Sequence, residues 1–383
     1  MVRIDRFRGP PGAEDRPWLL TAGPVTTARG VRLAQLGDWD GADPDLRRMA
    51  DAARGDLARL AGAGPEQVSV LVPGPPAVAR EALLALTASP SKRAKTLVIV
   101  NSRESAEAAA LLDGLGRPFL TLRASPLEPV AAAEVDALLA LDKSVTQVWC
   151  APFSPDAGVL SPLKEIAGAV QRRGRSLMVD MGAGFGALPV DMADLGIMAL
   201  AARADGALES AAGLSFVMVP KRLLTLESKA PARAVDLPAL AAAQAGGEGC
   251  ALPGPQLAAL HAALGLLAAE GGVEARAFRY RRNAEMLDQG MRALGFVPLL
   301  QGPGMGMLVQ AFRQPGDRAF DFARFDGEVR RRGFALMAGA PGLPLSFRMA
   351  SMGQLEPGII HAAVNAVADA FRALGVDDAR PAR

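Results

Sequence analysis

Residues 176–197 read SLMVDMGAGFGALPVDMADLGI. The first five form an apolar run closed by Asp180, which reads as a buried strand delivering one carboxylate at its C-terminal end. The glycines that follow, Gly182, Gly184 and Gly186, have the spacing G-x-G-x-G. A dinucleotide loop needs G-x-G-x-x-G and a glycine-rich helix opening, so this cluster reads as a turn. Outward from it, further apolar runs mark strands at 67–72, 96–100, 119–122, 146–151 and 214–219. Between them, alanine-rich amphipathic stretches at 78–89, 105–116, 131–142 and 163–174 mark helices. Short strands alternating with helices argue an α/β fold with a mostly parallel sheet covered on both faces. Functional groups in such sheets gather beyond the C-terminal ends of the strands.

Past residue 250 the pattern changes. One long helical run is expected over 253–294, then strand pieces around 296–312, a helix at 322–333, a strand at 346–350 and a final helix at 357–375. This reads as a smaller α+β domain attached by a long helix. The expected division is a large domain over 18–268, and a small domain over 269–383 together with an N-terminal arm, 1–17.

The chain has 383 residues, 42 basic and 40 acidic, with a formal net charge of +2. No run of Lys/Arg with interleaved aromatics appears, which argues against nucleic acid as a partner. The arginines of 279–282 and 330–332 read as solvated helix faces. No stretch reaches the ~18–20 apolar residues of a membrane helix, and the start of the chain has no apolar leader core. The expectation is a cytoplasmic protein with no membrane partner. Cys150 and Cys250 make no disulfide framework. His261 and His361 lie in helical patterns without a partner at metal spacing, so no metal site is expected.

Three stretches together carry a resemblance: LLTAGPVTTARGVRLAQLGDWDGADPDL (19–46), the quoted 176–197, and GLPLSFRMASMGQLEPGIIHAAVNAV (342–367). They resemble the class-V branch of the fold-type-I aminotransferases that use pyridoxal 5′-phosphate (PLP), and most closely the 2-aminoethylphosphonate–pyruvate transaminases. The likeness spans about residues 18–373. It implies a large domain with a mostly parallel mixed sheet, a smaller α+β C-terminal domain, and a dimer. PLP chemistry asks the protein for an acid on the pyridine nitrogen, an anion cradle for the phosphate, a stacking partner for the ring, and a lysine. The lysine forms the Schiff base and moves the α-proton.

By this resemblance, Asp180 stands at the acid's position; read alone, it is a strand-end aspartate capping a turn. Matching Gly213 and the strand Leu214–Val217 to the relatives places Asp205 at an asparagine and Gly206 at the lysine. No lysine lies between Lys164 and Lys221. The phosphate turn becomes Gly74-Pro75-Pro76-Ala77, with two residues that have no N–H and no hydroxyl in the set. The prolines also suit a plain helix start. Glu104 falls where an aromatic would cover the ring. Ser154, in an altered turn 151–158, either keeps a polar contact or is simply a turn residue. Arg348 matches the arginine that clamps the substrate carboxylate, or is a structural ion pair. Thr21, Gly23 and Pro24 belong to a loop that shapes the active-site mouth in relatives, or to ordinary turn punctuation.

The expectation from these departures is a transaminase-shaped protein without PLP catalysis, binding no cofactor, or PLP if any. It would act as a homodimer, or as a heterodimer with an active paralogue, and could bind a small anionic ligand. Two alternatives stay open: an active transaminase moving an amino group from a small amine to pyruvate, and PLP-independent chemistry by Asp180, Glu104, Asp205, Glu209 and Arg348.

Overall fold

The structure is a computed structural model, and it describes residues 16–89, 91–228, 230–245, 252–302, 306–376 and 378–381. The central sheet has seven strands: β1 (Gln67–Pro73), β2 (Lys95–Val100), β3 (Phe119–Arg123), β4 (Val145–Cys150), β5 (Ser176–Gly182), β6 (Ile197–Arg203) and β7 (Leu214–Pro220). Their order is β1-β7-β6-β5-β4-β2-β3. All neighbouring pairs are parallel except those of β7, which runs antiparallel to both β1 and β6. The mixed, mostly parallel sheet expected from the sequence is therefore present.

Both faces of the sheet are apolar, as helix cover on each side requires. Val98, Trp149, Met178, Ala199, Ala201 and Val217 pack on one side. Leu97, Val148, Val179, Leu200 and Phe216 pack on the other. β6 was not foreseen. Its sequence, IMALAAR, is alanine-rich, and alanine is poor in isolated strands. Pairing on both edges, with β5 and β7, decides its conformation.

The single long helix expected over 253–294 is two helices, Gly254–Glu270 and Gly272–Ala293, bent by 82°. Gly271 and Gly272 lie at φ 108 and 82. Both values are in the left-handed region open to glycine, where a helix ends. The second helix places Tyr280 in the first core and Leu287 and Met291 in a second one. That second core surrounds a three-stranded antiparallel sheet of Val309–Arg313, Ser346–Ala350 and Met337–Ala338. Phe296 joins it, meeting Phe347 and Phe371 with ring centroids 5.4 and 4.9 Å apart. The chain start also reaches this region, where Trp18–Leu19 pairs with Phe334–Ala335.

Among the described residues, no single helix is long and apolar enough to cross a membrane. His261 and His361 are exposed helix positions. Cys150 is buried in β4, while Cys250 lies outside the described residues.

Candidate functional site

The C-terminal ends of the parallel strands converge on one edge of the sheet, because β1, β2, β4, β5 and β6 share a direction. That edge carries Gly74 after β1, Glu104 after β2, Ser154 after β4, Asp180 at the end of β5, and Asp205 and Gly206 after β6. The residues singled out in the sequence thus come together.

The loop after β6 is closed at Gly206, the residue that the resemblance sets at the lysine. An ideal Cβ on Gly206 would lie 2.6 Å from the carbonyl oxygen of Ala183 and 2.7 Å from its Cα. The Gly182–Gly186 turn lies directly against this loop, and the Ala207 N–H donates to Ala183 O at 2.8 Å. Asp205 is held from its own loop: Arg203 Nε and Nη2 donate to its two oxygens at 2.5 and 2.9 Å. The Gly23 backbone packs on the same guanidinium, and an added Cβ there would meet Arg203 Cζ at 2.8 Å. In the same turn the Thr21 hydroxyl donates to the Pro24 carbonyl.

Asp180 is buried with both oxygens engaged. Oδ1 accepts the Gly182 N–H at 2.9 Å, and Oδ2 accepts Arg80 Nε at 2.6 Å. Arg80 is buried in the helix Pro76–Thr87, its side chain 2% exposed. Its Nη1 donates to Glu107 Oε2 at 2.9 Å, and its Nη2 lies 3.8 Å from Glu104 Oε2. Burial works against the Arg80 charge, but Asp180, Glu104 and Glu107 outweigh it and raise its pKa. Glu104 itself is pushed above the usual carboxylate range, first by burial and then by the charge of Asp180; Arg80 and Arg203 act against the shift.

The helix start at Gly74-Pro75-Pro76-Ala77 offers few donors. Pro75 is its cap residue and Pro76 its first residue. The Gly74 N–H donates to Gly213 O and the Val78 N–H to Pro75 O, both at 2.9 Å. Ser154 is fully buried, and its hydroxyl has no partner among the described residues. Arg348 donates to the carbonyls of Ala338 and Pro155 at 2.9 and 2.8 Å and lies 3.6 Å from Asp156 Oδ1. Burial lowers its pKa, with Asp156 opposing. In this arrangement Arg348 ties the C-terminal sheet to the 151–158 turn.

Taken together, these residues do not fit PLP. Gly206, which the resemblance sets at the lysine, has neither an amine nor room for a side chain. Asp180 already carries a cation, the Gly74–Ala77 turn offers few donors, and Glu104 puts a carboxylate after β2.

Arg80 was missed in the sequence. Its signal was present: in VAREALLALT the arginine shares a helix face with Leu83, Leu84 and Thr87, at i+3, i+4 and i+7. The expectation of solvated faces over 279–282 is corrected at Arg279. This guanidinium donates to Glu209 Oε1 at 2.8 Å and Glu270 Oε1 at 2.7 Å. Arg281 and Arg282 are exposed. Glu209, four residues after Asp205 in the same loop, is buried at φ 60 and also accepts from Tyr280 Oη at 2.5 Å.

The fold agrees with comparisons to known proteins. The Aminotransferase class-V family profile matches residues 48–304, and the chain belongs to that family. Among curated proteins, the 2-aminoethylphosphonate–pyruvate transaminase of Burkholderia mallei strain SAVP1 is 37% identical over 366 residues, which is 95% of this chain and 99% of the relative. The protein of that description from Burkholderia thailandensis is equally similar. Solved structures share the architecture. The ureidoglycine–glyoxylate aminotransferase of Bacillus subtilis superposes with TM-score 0.86 at 17% identity, covering 94% of each chain. The pyridoxamine–pyruvate aminotransferase of Mesorhizobium loti gives 0.83 at 20% identity, with the same coverage. At these identities the structures speak for the fold, a fold-type-I aminotransferase.

Proposed function

We propose that this chain keeps the class-V aminotransferase scaffold without PLP-dependent amino transfer. It acts instead by binding, as a cytoplasmic partner subunit that pairs with itself or with a lysine-bearing paralogue, or as a receptor for a small anionic ligand. The observation that carries this reading is Gly206, where a side chain would run into the Ala183 backbone. A transaminase needs an amine there, and general acid–base help alone is worth about 10²–10⁴-fold in rate.

A second reading is favoured by the relatives. Identity of 37% over 95% of the chain, to 2-aminoethylphosphonate–pyruvate transaminases, speaks for an active enzyme moving an amino group from a small amine such as 2-aminoethylphosphonate to pyruvate. Whole-chain likeness supports this better than it supports lost catalysis. Against it stands the site. The next lysine, Lys221, follows β7. A seven-residue strand puts it roughly 20 Å from the loop after β6.

The absorbance spectrum of the purified protein, with and without added PLP, decides between them when paired with an assay of alanine formation from 2-aminoethylphosphonate and pyruvate. No imine band and no alanine are expected. An imine band with catalytic turnover would establish the second reading.

A further inference from the structure

We infer that Arg80 is a built-in counter-ion that occupies the cofactor's place at Asp180. A guanidinium with 2% exposure is tolerated inside a protein only when its charge is answered. Arg80 sits in the second turn of the helix Pro76–Thr87. At that place the helix dipole offers a cation no stabilisation, so helix stability does not explain it. Its partners do: Asp180 at 2.6 Å from the end of β5, Glu107 at 2.9 Å and Glu104 at 3.8 Å from the helix Arg103–Gly114.

A pyridinium ring would present one charged N–H to Asp180. Arg80 presents the same chemistry from within the chain. The acid left at the end of β5 is therefore neutralised without a ligand, and the fold needs no cofactor to bury it. A planar cation from solution, pyridinium or guanidinium, reaches Asp180 only when Arg80 is gone. This deepens the reading that PLP is not used, and it is tested separately.

The test uses full-length Arg80→Ala, Asp180→Asn and the double variant, followed by thermal melting. Each single change is expected to lower Tm by about 5–10 °C, because it leaves a buried charge unanswered. The double variant should fall short of the sum. Guanidinium chloride at sub-denaturing concentration should raise the Tm of Arg80→Ala above a sodium chloride control, while it lowers that of wild type through its ordinary denaturing action. Wild type should show no saturable binding of pyridoxamine 5′-phosphate, an amine that cannot form imines with stray lysines. This titration and the isosteric Asp180→Asn keep the test alive if Arg80→Ala does not fold. Additive losses, an Arg80→Ala protein as stable as wild type, or saturable pyridoxamine phosphate binding by wild type would each overturn the inference. Additive losses without any PLP imine would sink the Arg80 role alone and leave the proposed function standing.

Discussion

The Cβ position of Gly206 lies 2.6 Å from the carbonyl oxygen of Ala183. Two segments that meet only in the folded sheet, the turn after β5 and the loop after β6, are in backbone contact at Gly206, which the resemblance sets at the lysine. Gly206→Lys is therefore expected to destabilise the protein by overpacking, by about 1–3 kcal/mol, and to gain no imine band with PLP. Urea titration and an absorbance spectrum check both. Wild-type stability together with a new imine band would mean that the turn yields easily.

Burial and the charges of Asp180 and Asp156 oppose ionisation of Glu104, while Arg80 and Arg203 favour it. Its folded pKa is raised, so the native state holds its proton to higher pH than the unfolded chain does. Stability from this group is full below the unfolded pKa, about 4, and is lost as pH rises through the folded value. Glu104→Gln should thus melt higher than wild type at neutral pH, with the gap closing in acid. A variant that melts lower at neutral pH would show that the Arg80 attraction outweighs burial.

Arg279 shares Glu209 and Glu270 with Arg276, and also donates to the Gly353 carbonyl at 2.6 Å. Removing it leaves the buried Glu209 short of a partner. Arg279→Ala is expected to cost about 3–5 kcal/mol. Arg330→Ala, which breaks an exposed pair with Asp326 one helical turn away, should cost at most about 1 kcal/mol. Equal losses in denaturant titrations would deny the loop its anchor.

Cys150 is fully buried in β4, and burial, with the charge of Asp180 behind it, pushes its thiol up to about 12. The thiolate is the reactive form. In a Cys250→Ser background, iodoacetamide at pH 8 should leave the native protein unmodified and label it once urea unfolds it. Prompt labelling of the native state, read by mass spectrometry, would show that this face of the sheet opens.

Much of the sheet was legible in the sequence, because β2, β4 and β5 are apolar runs whose period and bounding residues act locally. The alanine-rich β6 was not, since its conformation is set by two neighbours rather than by its own side chains. The bend at Gly271 and Gly272 was missed although the Gly-Gly pair is itself a helix-stop signal, and the left-handed φ values show the break it makes.

At the site, the sequence by itself determined which residues are present: no lysine between 164 and 221, Pro75 and Pro76 after β1, and Glu104 after β2. It could not determine which of these residues meet. Arg80 and Asp180 are 100 residues apart, and Gly206 and Ala183 lie on different segments. Their encounters exist only because parallel strands carry their C-terminal ends to one edge. Which residue types stand at these positions is written in the chain. The Arg80–Asp180 ion pair and the Gly206–Ala183 backbone contact are properties of proximity, which tertiary structure alone supplies.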